Sequence, residues 1–142
     1  MVARIVVGVD GSPGSLAALE WAVDEARRRQ ARLDVVHVWD VPMLAYSAIT
    51  PVVTGIDEGE LESAAREVLD KLVAGLPHDV TVEPILARGT AASVLLETAR
   101  GADLVVVGSR GHGGFVGLLL GSVSAALAHH SPCPVVIVRH QD

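Results

Sequence analysis

Glycine spacing is the chemical signal in this chain. From Gly108 to Ser122 the sequence reads Gly-Ser-Arg-Gly-His-Gly-Gly-Phe-Val-Gly-Leu-Leu-Leu-Gly-Ser, with four glycines among the seven residues Gly108–Gly114. Glycine lets a backbone turn sharply and bring bare N–H groups close to a ligand. Gly121-Ser122 then opens a helical pattern, and the first amides of a helix have no internal acceptor and carry the positive end of its dipole. The Ser122 hydroxyl can serve as a cap or as a donor to phosphate. Two amide clusters, one in the turn and one at the helix start, would hold a polyphosphate between them. Taken alone, the turn is equally well read as a tight strand–helix connection.

Better-known phosphate motifs are absent. There is no G-x-x-x-x-G-K-[ST], and the only lysine of the chain is Lys71. No G-x-G-x-x-G follows the first apolar run. Backbone amides and hydroxyls must therefore do most of the holding, with positive charge from Arg110, from His112, or from a divalent cation. Mg²⁺ suits this role, because it keeps its waters and coordinates through phosphates with few protein ligands.

A second candidate is Asp10, which ends the run Val-Gly-Val-Asp-Gly-Ser-Pro-Gly-Ser. A carboxylate there can accept hydrogen bonds from ribose hydroxyls, or can cap the following helix together with Ser12. The local sequence favours neither. Other chemistry-bearing residues carry less. His129-His130 point in different directions on a helix and cannot easily share an ion; His37, His78 and His140 have no partner at metal-ligand spacing. Cys133, between Pro132 and Pro134, reads as a small apolar residue rather than a nucleophile.

The elements that position these residues alternate. Strand-like apolar runs occur at Ala3–Val9, Leu33–Trp39, Val80–Ala87, Asp103–Gly108 and Val135–Arg139. Helical patterns lie at Gly14–Gln30, Asp57–Gly75, Ala91–Arg100 and Ser122–His130. In the first helix Leu16, Leu19, Ala22, Val23 and Ala26 form the apolar face. Such alternation implies right-handed βαβ crossovers, hence an α/β fold with a parallel sheet covered by helices on both faces. Ligands of open sheets sit beyond the carboxyl ends of the strands, which is where Asp10, Val38, Gly89 and Gly108 fall. The segment Asp40–Gly59, rich in Pro, Thr, Ser and Gly, is a long excursion after the second strand.

Composition agrees with this architecture. The 142 residues fit one domain, 1–142, and are 50% apolar with 3% aromatic, so the core must be Val, Leu, Ile and Ala. A net charge of −6 excludes nucleic acid, which demands basic stripes. The basic run Arg27–Arg29 with Arg32 reads as a solvated helix end. No apolar stretch approaches a membrane span, no leader is expected ahead of the first strand, and one cysteine allows no internal disulfide. The expected location is cytoplasmic.

With both ends of the site identified, the chain resembles the universal stress proteins of the ATP-binding kind. That family carries G-x2-G-x9-G-[S/T] after its fourth strand, matched here by Gly108, Gly111, Gly121 and Ser122. Further matches are Ile-Val-Val-Gly-Val-Asp-Gly-Ser at the amino terminus, His37-Val38, Gly89 with Ala92-x-x-Leu95, and the terminal Cys-Pro-Val-Val-Ile-Val. Only Asp40–Gly59 falls outside the resemblance. One departure is Ala91, where many relatives carry proline.

The resemblance implies an adenine nucleotide α-hydrolase-like sheet with strand order 3-2-1-4-5. It implies that Asp10 contacts ribose, that the Val38 backbone meets adenine, and that Gly8 and Val9 line the same pocket. Gly108 would pass beneath the sugar, and Gly111, Gly121, Ser122 and Val123 would bind phosphates, with Arg110 beside them. ATP is the implied ligand, and the shortage of cationic side chains adds Mg²⁺ or Mn²⁺ on its phosphates. A homodimer through Val135–Val138 is implied as well, and an unbroken apolar terminal strand is an exposed edge unless something covers it.

Function follows as a nucleotide-dependent regulator or sensor in stress response. A slow ATP hydrolase is the alternative, although no base stands near an orienting partner. A flavodoxin-like carrier needs stacking aromatics that this chain hardly has. A receiver domain needs clustered acids and a lysine where Arg139 and His140 stand.

Overall fold

In the computed structural model, residues 2–41, 57–111 and 120–140 are described. The chain alternates strand and helix from end to end: β1 (Arg4–Val9), α1 (Pro13–Arg29), β2 (Arg32–Trp39), α2 (Glu58–Ala74), β3 (Val82–Arg88), α3 (Ala91–Thr98), β4 (Leu104–Gly108), α4 (Ser122–His130) and β5 (Val135–Val138). The strands form one parallel sheet in the order β3-β2-β1-β4-β5. Register runs through the centre as Ile5↔Leu33 and Ile5↔Leu104. This is the doubly wound α/β architecture and strand order expected above.

The Val/Ile composition has a direct cause. The central strands are covered on both faces, so both alternating sets of side chains must be apolar. Ile5, Val7, Leu33, Val35 and Val106 join Ala18, Leu19, Ala22 and Val23 of α1 and Leu69 of α2 in one core layer. Val6, Val36, Val105 and Val107 join Leu95 of α3, Ala99 at its C-cap and Leu127 of α4 in the other.

Small differences from the sequence reading have local causes. Leu16 was placed on the buried face of α1 but is 39% exposed, and that face is completed by Gly14 and Ser15. Helix α3 ends at Thr98 because the Arg100 N–H turns to the Glu97 carbonyl, three residues back instead of four, and Gly101 turns the chain with φ +76°. The arginines closing α1 are ion-paired rather than merely solvated: Arg27 to Asp24 and Asp79, Arg28 and Arg29 to Glu25. Its bond to Asp79 raises the Arg27 pKa, and the same bond lowers that of Asp79.

One buried charge interrupts the apolar pattern. Asp34 on β2 is 1% exposed and accepts from Arg4 at 2.9 Å and from Arg32 at 2.8 and 3.2 Å. Arg4 also donates to the Arg100 carbonyl, and its backbone N–H donates to Asp103. The cluster lies at the amino-terminal edge of the sheet, away from the strand ends that the motifs occupy.

Candidate functional site

Winding reverses between β1 and β4, and there the carboxyl ends of the strands open into a cavity of about 450 Å³. Gly8, Val9, Asp10, Val38, Gly108, Arg110, Gly111, Gly121, Ser122 and Val123 all line it. The ten site residues read from sequence are thus brought together, from four separate segments. His112, Gly113, Gly114 and most of Asp40–Gly59 lie outside the described residues.

The cavity floor is apolar. Val36 and Val38 of β2, Val107 of β4 and Leu95 of α3 supply it. Leu95 crosses β1 at Gly8, where a Cβ would lie 2.7 Å from its Cδ1. Val36, Leu95 and Val107 also belong to the core layer beneath, so they serve both purposes. Ser15, Ala91, Leu120, Ser124 and Ala125 complete the lining and were not singled out as ligand contacts.

Of the two arrangements left open for Asp10, the structure shows the capping one. Ser12 is the N-cap of α1, its hydroxyl accepting the Ser15 N–H at 3.3 Å. Asp10 Oδ1 in turn accepts from the Ser12 N–H at 2.9 Å and from the Ser12 hydroxyl. Ser15 Oγ accepts the Asp10 N–H at 3.1 Å. One carboxylate oxygen therefore secures the corner, while Oδ2 lies against Gly111, 2.6 Å from where its Cβ would be. The neighbouring strand braces the same corner, with His37 Nδ1 2.8 Å from the Val9 carbonyl oxygen.

The start of α4 differs in one detail from the sequence reading. Its N-cap is Gly121, which makes no side-chain capping bond, and Ser122 is the first helical residue, with an exposed hydroxyl. Ser122 is not the cap. The Gly121 N–H bonds to the Ser109 carbonyl at 2.6 Å, and the buried Ser124 hydroxyl donates to the same carbonyl at 2.9 Å. These bonds tie α4 to the turn after β4. First-turn amides, those of Ser122 and Val123 among them, lack intrahelical acceptors and sit at the positive end of the dipole.

Cationic side chains are scarce here. Arg110 is the only Arg or Lys among the lining residues. No three His, Cys, Asp or Glu side chains among the described residues are grouped to hold a metal. His129 and His130 are exposed at the end of α4 with ring centroids 6.1 Å apart. Cys133 is half-buried and packs against the core layer of Leu127.

The family model of the universal stress proteins matches residues 1–139. The chain belongs to the universal stress protein family. A universal stress protein of Mycolicibacterium smegmatis is 42% identical over 138 residues, which cover 95% of this chain and 45% of the relative. The chain spans about half the length of the curated relatives it matches. Among solved structures, a universal stress protein in complex with cAMP is 30% identical with TM-score 0.63, covering 97% of either chain. A universal stress family protein from Arabidopsis thaliana with AMP bound shares the fold at 20% identity and TM-score 0.67, covering 98% of this chain and 92% of that one. Among the described residues no helix is long and apolar enough to cross a membrane.

Proposed function

We propose that this chain binds an adenine nucleotide in the cavity between β1, β4 and α4, and acts as a nucleotide-dependent regulator in stress response. The observation that carries this reading is the convergence of Asp10, the Gly108–Gly111 turn and the Gly121–Val123 helix start on one apolar-floored cavity. Adenine packs against Val36, Val38, Val107 and Leu95 and meets the Val38 backbone. Asp10 accepts from the ribose hydroxyls. Phosphates lie between the Gly111 amide and those of Ser122 and Val123, where oriented N–H groups favour anions.

ATP is the proposed ligand, with Mg²⁺ or Mn²⁺ carried on its phosphates. The donor set fits a cation held in that way, since the Ser122 hydroxyl is exposed beside the helix start. The cation would offset phosphate charge that Arg110 alone leaves uncompensated. The same reading makes 1–142 a single nucleotide-binding domain that pairs with a second copy through Val135–Val138. A cytoplasmic location belongs to it, because Cys133 is the only cysteine.

The experiment is mass spectrometry of ligand released from freshly purified protein, followed by titration with ATP, AMP and cAMP. ATP binding tighter than AMP or cAMP is expected. The relative in complex with cAMP supplies the competing outcome: tighter cAMP binding would replace the polyphosphate with a cyclic phosphate at the same amides.

A further inference from the structure

Gly14 is buried as the second residue of α1 and does not line the cavity. A Cβ built on it would lie 2.6 Å from the Arg110 carbonyl oxygen. The contact is reciprocal, since a Cβ on Gly108 would lie 2.7 Å from the Gly14 carbonyl oxygen and 3.2 Å from the Ser15 nitrogen. Two backbones thus touch with no side chain between them. Gly14 has ordinary helical dihedrals, and alanine forms helix better than glycine. Helix formation gives no reason for glycine here; what it supplies is space.

That space fixes the direction of one peptide. In a trans peptide the carbonyl and the next N–H point in opposite directions. With the Arg110 carbonyl seated on Gly14, the Gly111 N–H must point away from α1. A Cβ on Gly121 would lie 3.8 Å from the Gly111 nitrogen, so that amide lies on the side of the α4 start. Among the described residues the Gly111 N–H has no hydrogen-bond acceptor.

We propose that Gly14 is a positioning residue for the phosphate end of the cavity: it seats the Arg110 carbonyl and so aims the Gly111 N–H at an anion held before α4. The proposal rests on the adenine-nucleotide reading. A methyl group at Gly14 pushes the Arg110 carbonyl aside and rotates the Arg110–Gly111 peptide, which misdirects one charge-assisted hydrogen bond. Asp10 and the apolar floor keep their places, so the nucleoside portion is unaffected.

The test compares ATP and adenosine on the unmodified protein, on Gly14→Ala, and on Leu16→Ala as a control in the exposed part of the same helical turn. Gly14→Ala should weaken ATP by roughly tenfold, the worth of one hydrogen bond to a charged group, and leave adenosine within about twofold. Its melting temperature should fall by a few degrees, about what moving one backbone carbonyl costs, with the variant still folded, and the Gly111 amide resonance of the ligand-free protein should shift. Leu16→Ala should change neither affinity. Unchanged ATP affinity, equal weakening of ATP and adenosine, or an unfolded variant would each overturn the proposal. Failure of the unmodified protein to bind ATP would instead strike the nucleotide reading, and an unshifted Gly111 resonance would then strike the positioning role separately.

Discussion

The Asp10 carboxylate and the Gly111 α-carbon meet across the boundary between β1 and the turn after β4: a Cβ on Gly111 would lie 2.6 Å from Asp10 Oδ2. Asp10 cannot simply swing away, because Ser12 holds its other oxygen with both its N–H and its hydroxyl. The Asp10 corner and the turn after β4 therefore share one contact.

Gly111→Ala should disturb both at once. The methyl group displaces the carboxylate from its ribose-facing position, so adenosine and ATP should both weaken by about tenfold, the worth of a hydrogen bond to a charged group. The melting temperature should fall as well, because the carboxylate can yield only by loosening its bonds to Ser12. Calorimetric titration with each ligand checks this, and a loss confined to ATP would contradict it. That pattern separates Gly111 from Gly14, where only ATP is affected.

Removing divalent cations should weaken ATP binding. Arg110 is the one cationic Arg or Lys side chain in the lining, against several phosphate charges. One opposing charge about 4 Å away is worth about 1 kcal/mol even at the dielectric constant of water, or roughly fivefold in affinity, and more inside the cavity. Titrations with Mg²⁺ and with EDTA measure the difference. Equal affinities would remove the cation from the account.

Asp34→Ala separates stability from binding. The change leaves Arg4 and Arg32 without the carboxylate that accepts from both. Breaking a fully buried pair costs about 3–5 kcal/mol, but these arginines are 22% and 46% exposed, so about 2 kcal/mol is expected. Denaturant unfolding measures it. ATP affinity should be unaffected, because the cluster lies at the opposite edge of the sheet.

The association claim concerns β5, which pairs with β4 along one edge only among the described residues. Its four residues are apolar and half-buried. Val136→Lys should shift a homodimer toward monomer in sedimentation experiments, since a charge on an apolar edge strand opposes strand pairing. A monomeric unmodified protein would show that the edge is protected in another way.

Much of this arrangement is legible in the sequence, for physical reasons. Valine-rich runs such as Ile5–Val9 and Val105–Val107 mark strands covered on both faces, and Gly108, Gly111, Gly121 and Ser122 mark backbone that must come close to something. What is not legible depends on contacts without a period. Gly14 has no motif of its own; its meaning lies in Arg110, distant in sequence. Val36 and Leu95 look like any core residues until the sheet opens above them. Asp34 gives a faint signal as an acid inside an apolar strand, but its two arginines become partners only when β1 and β2 pair. Of the two roles the sequence leaves open for Ser122, cap or phosphate donor, the structure rules out the cap: Gly121 caps α4, and the Ser124 hydroxyl donates to the Ser109 carbonyl.

The most direct test of the central claim is titration of ATP into the unmodified protein and into Gly121→Glu. A Cβ at Gly121 would make ordinary contacts of 3.4 to 3.8 Å with the 109–111 backbone, so the start of the side chain fits and its carboxylate reaches the ground assigned to phosphate. At an effective dielectric constant of ~20, a carboxylate ~4 Å from one phosphate charge costs roughly 4 kcal/mol, about a thousandfold in affinity. Saturable binding at one ATP per chain by the unmodified protein, lost in a variant whose circular dichroism and melting temperature are preserved, is the predicted result. A folded Gly121→Glu that binds ATP at the original affinity would contradict the site.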